Sequence, residues 1–179
     1  MTENTVSRLW FMRTMFILLS VAVIFLHLLP LSTLPGTLAA PDIILALAFC
    51  WALRRPEFVP ALLIGLVMLF ADLMMSRPPG LFAAIALVAV EMLKARASQL
   101  RNTPFSVEWI TASMAIAAVI VGYRLILMLL LVESFALSTA LVQILFTILI
   151  YPVVIGVSWV FFGLRKPTLG EVNALGQRL

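Results

Sequence analysis

A chain of 179 residues that is 64% hydrophobic and 11% charged, with a mean hydropathy of +1.17, is too apolar for a soluble domain and reads as an integral membrane protein. Its net charge of +4 does not point to nucleic acid, because the basic residues flank apolar runs, where they serve topology and contact with anionic headgroups. No stretch outside the runs approaches the length of a soluble domain, so a single transmembrane domain over residues 1–179 is expected.

Six apolar runs follow in chain order, at 11–31, 38–53, 60–75, 80–93, 109–132 and 137–162. The first follows Arg8 and overlaps Arg13, and Thr37-Leu38-Ala39-Ala40 beyond it resembles a signal-peptidase site. The run exceeds the roughly 7–15 residues of a signal-peptide core, so a retained helix is expected. Runs two to four are short against the about 20 residues a helix needs to cross a bilayer. Compact helices shielded by longer first, fifth and sixth helices are therefore expected. Pro152 should kink the sixth run near its middle and release a carbonyl that a neighbour must satisfy.

Orientation follows from the basic residues, which are retained on the cytoplasmic side. Arg8, Arg13, Arg54, Arg55, Lys94, Arg96, Arg101, Arg165, Lys166 and Arg178 fall on one side, and only Arg77 falls on the other. Both termini are thus expected in the cytoplasm. Trp10, Trp51, Trp109 and Trp159 all fall at the same predicted ends, as expected of a side chain that favours the headgroup level.

The polar residues inside the runs gather toward the opposite, outer side. Asp42 starts the second run and Asp72 lies near the end of the third; Arg124 lies about 13 Å below Glu133 at roughly 1.5 Å per residue. Gln143 lies at a comparable level and His27 near the end of the first run. Asp42 after Pro41 is read as a helix start, or as a member of a cluster with Asp72 and Arg124. Asp72 lies too far along its helix to cap that helix's own start, which leaves a buried polar contact or a rim charge. Arg124 either pairs with Asp72 or reaches toward the headgroups. Gly65 is a candidate for close helix approach and Gly80 for a tight turn. Glu91 and Lys94 are spaced as a helix-surface ion pair. The sole cysteine, Cys50, is expected to be a buried thiol.

A single histidine, a single cysteine and the absence of HExxH, GxSxG and P-loop motifs argue against an enzyme, a metal site or a bound cofactor. No pore-lining repeat marks a channel.

Pro41-Asp42 opening a short helix, Trp51-Ala52-Leu53-Arg54-Arg55-Pro56, Gly65 with Asp72 in a GLVMLFAD segment, and then Gly80 after a short turn together resemble the MreD family of bacterial rod-shape-determining proteins. Arg77-Pro78-Pro79 departs from the smaller polar turn residues frequent in that family. The resemblance implies an all-α bundle of six transmembrane helices, similar to the S components of energy-coupling-factor transporters, in the bacterial inner membrane. It implies a non-enzymatic subunit of the elongasome that binds MreC. Through MreC it would join RodA, its class B transpeptidase and, indirectly, MreB filaments in peptidoglycan synthesis and cell shape. Pro41, Asp42, Gly65, Asp72 and Gly80 carry that resemblance, and Arg124 joins them by depth alone. The alternative is a vitamin-binding subunit with an outward cavity lined by Asp42, Asp72, Arg124 and Gln143. Neither reading fixes whether the protein forms a homo-oligomer.

Overall fold

The computed structural model describes residues 2–29, 40–101, 103–131 and 137–164, and every regular element in them is helical. In chain order these are α1 (Thr2–Leu28), α2 (Ile43–Arg54), a single 3-10 turn (Pro56–Phe58), α3 (Ala61–Met74), α4 (Leu81–Leu100), α5 (Phe105–Leu129) and α6 (Leu137–Phe162). Stretches of three of them, Val6–Leu28, Phe105–Leu129 and Ser138–Phe162, are long and apolar enough to cross a membrane. These belong to α1, α5 and α6, as the apolar runs led one to expect. Most of their surface faces outward, including Phe25, Met114, Leu125, Leu149 and Phe161. Apolar surface on that scale belongs in lipid, so the chain is an all-α membrane protein.

At the centre lies α2, in which every residue from Ile44 to Leu53 is buried. A helix apolar all round is a core helix, and its neighbours cover each face. It packs chiefly on α4 and α6, with α1 and α5 adding smaller contacts; α3 lies against α4 and α1, and α5 bridges α4 and α6. On α1 one narrow stripe, Leu9, Met12, Phe16, Ser20 and Ile24, is buried.

Trp51 corrects the expectation that all four tryptophans meet headgroups, because it is wholly enclosed. Its ring packs against Phe16, Phe58 and Phe162, with centroids 5.3, 6.5 and 5.5 Å away, and its indole donates to Ser158 Oγ at 3.3 Å. Such aromatic pairs contribute about 0.5–1.5 kcal/mol each beyond area burial. Trp10 and Trp159 remain exposed.

A second correction concerns α4, which runs on to Leu100 instead of ending near residue 93. Its buried residues Ala83, Ala86, Val90, Leu93, Ala97 and Leu100 recur at alternating steps of three and four, so one face stays packed after the composition turns polar. On the outside of this extension Lys94 Nζ lies 2.6 Å from Glu91 Oε1, the ion pair that their spacing predicts.

Pro152 stands inside α6 and cannot donate to the carbonyl four residues earlier, that of Ile148. The Trp109 indole takes that place, donating to Ile148 O at 3.1 Å. Trp109→Phe should therefore cost about 1–3 kcal/mol in thermal unfolding of the purified protein. In a Pro152→Ala background the restored amide serves Ile148, and the same substitution should cost markedly less.

Candidate functional site

The chain between Pro41 and Gly80 folds as two antiparallel helices, α2 and α3, joined by the 3-10 turn. Asp42 and Asp72 therefore meet at one end, both beside Arg77, while Arg54, Arg55 and Glu57 mark the other.

Asp42 is the helix start that one of its two readings expected, and its ion-pair partner is Arg77 and not the Arg124 of the other. Its Oδ1 accepts from Leu45 N at 3.1 Å, the N-cap bond of α2, and a carboxylate at that position also faces the positive end of the helix dipole. Its Oδ2 accepts from both terminal nitrogens of Arg77 at 3.2 Å. The Asp42 amide donates to Thr147 Oγ1 at 3.0 Å, which ties the start of α2 to α6. Pro41 supplies the carbonyl that takes the Ile43 amide at 3.1 Å.

Asp72 is fully buried and caps a helix, but the next one along the chain. Its Oδ2 accepts from Gly80 N at 3.2 Å and Ala83 N at 3.0 Å, at the start of α4. Its backbone oxygen accepts from Arg77 N at 3.0 Å, closing the end of α3 around Ser76, whose φ is 53°. One residue thus ends α3 with its carbonyl and starts α4 with its carboxylate.

The intervening Pro78-Pro79-Gly80-Leu81 is a type II turn, with Leu81 N donating to Pro78 O at 3.3 Å. Proline at the second position presets φ, and the third needs the positive φ of 84° that Gly80 adopts. Gly65 is not used for close approach: an added Cβ would meet Leu87 Cδ2 at 3.8 Å, an ordinary contact.

Arg124 is half-buried on α5 at this same end, where Tyr123 lies within electrostatic range of Arg77, Asp72 and Arg124. The expected Asp72–Arg124 pair does not form. Arg77 is the guanidinium that pairs with Asp42, and it also lies 4.5 Å above the Phe82 ring. Phe82 in turn meets Tyr123 edge to face at 5.3 Å. The sequence marks Arg77 as a topological exception and as part of a turn that departs from the family resemblance, not as a partner for a carboxylate. As the sole Lys or Arg in the connections at the end that holds Asp42 and Asp72, it was the natural partner.

At the opposite end of α2 a second cluster escaped the sequence reading. Arg54 Nε lies 3.1 Å from Oε1 of the fully buried Glu108, and Arg54 Nη1 donates to Leu164 O at 3.2 Å. The enclosed Tyr151 lies within electrostatic range of the same carboxylate. Cys50 is buried as expected, one turn before Arg54. Glu108 sits in the first turn of α5, where an acid suits the helix dipole and reads as an ordinary surface residue. His27 is exposed at the end of α1, and the residues around Glu133 lie outside those described. Among the described residues, no group of three or more histidine, cysteine, aspartate or glutamate side chains could hold a metal.

No protein-family model matches this chain, nor does a curated protein or a solved structure.

The capping role of Asp72 has a measurable consequence. Asp72→Ala should lower stability by about 1–2 kcal/mol, read as a fall in melting temperature. Asp72→Asn, which keeps an acceptor oxygen, should recover at least half of that loss.

Proposed function

We propose that this protein is a non-enzymatic subunit of the bacterial elongasome of the MreD type, which holds MreC in the inner membrane and so supports side-wall peptidoglycan synthesis and rod shape. In this reading the six helices all cross the bilayer with both termini in the cytoplasm. The excess of basic residues at the Arg54 end and the resemblance carried by Pro41, Asp42, Gly65, Asp72 and Gly80 support that orientation and that family.

The observation that favours an interaction subunit is how the polar residues of the Pro41–Gly80 hairpin are employed. Asp42 and Asp72 accept hydrogen bonds from Leu45, Arg77, Gly80 and Ala83, all within the bundle. An outward ligand cavity would need such groups directed at a guest. A bundle stiffened from within, with apolar outer faces on α3, α5 and α6, suits a partner helix that packs through van der Waals contact. RodA, its class B transpeptidase and MreB would then be reached through MreC.

Coexpression with MreC, followed by purification and native mass spectrometry, tests this reading. A stoichiometric complex without a small-molecule adduct is the expected result. A tightly held small ligand with no MreC complex would instead support the vitamin-binding alternative.

A further inference from the structure

The short helices are housed differently. α2 is enclosed, as suits a helix too short to cross a bilayer, but on α3 Leu62, Leu66, Leu69, Phe70 and Leu73 face outward. That corrects the expectation that longer helices shield all the short ones. With 14 residues, α3 is about 21 Å long, against roughly 30 Å for a hydrocarbon core. An exposed flank of that height cannot fill a bilayer of ordinary thickness.

The neighbouring α4 sets the same limit independently. Asp72 Oδ2 accepts from Gly80 N and Ala83 N at one end of the pair, and a Cβ added at Gly65 would meet Leu87 Cδ2 at 3.8 Å midway, so α3 and α4 run antiparallel in fixed register. One turn further on, Ala61 at the start of α3 lies level with Glu91. There the outward side of α4 passes from Ala84 and Val88 to the exposed Glu91, and beyond Met92 it exposes no large apolar side chain. At the same level the Arg55–Glu57 ion pair precedes α3. At the other end Ser76 is exposed and Arg77 follows it. Both helices thus turn polar at the same two levels, about 20 Å apart. The long apolar stretches of α1, α5 and α6, of 23 or 25 residues, reach roughly 35 Å. Tilting the bundle fits those stretches to a bilayer but lowers the α3–α4 face further.

The side chains on this face are those of a lipid boundary. Helices that associate in a membrane use small residues for close backbone approach, whereas α3 turns Gly65 toward Leu87, buries Ala71 and presents leucine and phenylalanine outward. We infer that acyl chains of a locally thinned bilayer, about 10 Å thinner than its surroundings, cover the α3–α4 face; of the elongasome reading this uses only that α3 and α4 cross the membrane. Arg77 and the exposed Arg96 mark the two levels to which headgroups are drawn. A partner helix is thereby directed to α5 and α6.

Spin labels on the full chain, carried one at a time by Ala61→Cys, Leu66→Cys and Ser76→Cys, test this in phosphatidylcholine bilayers with acyl chains of fourteen, eighteen or twenty-two carbons. All three positions are exposed, and the unsubstituted chain, whose Cys50 is fully enclosed, gives the labelling background. Collisions with oxygen and with a water-soluble nickel chelate report depth. The Leu66 label should stay oxygen-exposed throughout, and the labels at Ala61 and Ser76 should keep their nickel access within about twofold from the shortest lipid to the longest. A larger fall at both ends would show thick lipid covering them, and would overturn the thinning while leaving α3 in the membrane. Nickel access at Leu66 would place α3 outside the bilayer and overturn the six-crossing reading as well. Spin–spin broadening at Leu66 that vanishes on dilution with unlabelled protein would put a second copy on α3 and overturn lipid as its occupant.

Discussion

A 12-residue helix spans about 18 Å, well short of the roughly 30 Å of a hydrocarbon core, so the ends of α2 have to be completed inside the protein. Helix ends carry amides and carbonyls with no partner of their own, and lipid offers none. Asp42 answers at the N-terminus, capping α2 while it binds Arg77 and Thr147. At the C-terminus the Arg55 amide donates to Trp51 O at 2.8 Å, and the Arg54 side chain joins Glu108 on α5 and the carbonyl of Leu164 just beyond α6. Each end of the central helix is thereby tied to the helices around it. The charges also suit the dipole, with the acid at the start and the base at the end.

The α3–α4 connection obeys the same constraint. The turn itself is half-exposed, but its backbone is satisfied from within the protein, and the buried Asp72 serves both sides of it. Two prolines and a glycine at positive φ then leave the chain little freedom between α3 and α4. In α6, the carbonyl freed by Pro152 is met by Trp109. Polar atoms in this bundle are thus used mainly to close gaps in helix hydrogen bonding.

Much of the architecture was legible from apolar run length. The six runs became six helices, α6 over the expected span, and the three long ones were the three foreseen. The end of α4 was not, because composition turns polar at Glu91 while the buried stripe continues to Leu100. Asp72 was recognised as unable to cap its own helix. Its actual service, to a helix eight residues further on, depends on a tight turn that residue type alone does not reveal. Trp51 misled because an indole that prefers headgroups serves equally well in a core that holds Ser158 as its acceptor. Glu108 was missed because its partner Arg54 lies 54 positions away in the chain.

Ion pairs at the two ends of α2 hold the bundle together, and the Arg54–Glu108 pair tests this most directly. In a double-mutant cycle with Arg54→Met and Glu108→Gln, each single change should cost about 3–5 kcal/mol of unfolding free energy, because it removes the opposite charge from a buried ion pair. The double variant should recover much of that loss, giving a coupling of at least about 2 kcal/mol. Single costs that simply add, with coupling below about 0.5 kcal/mol, would contradict the account.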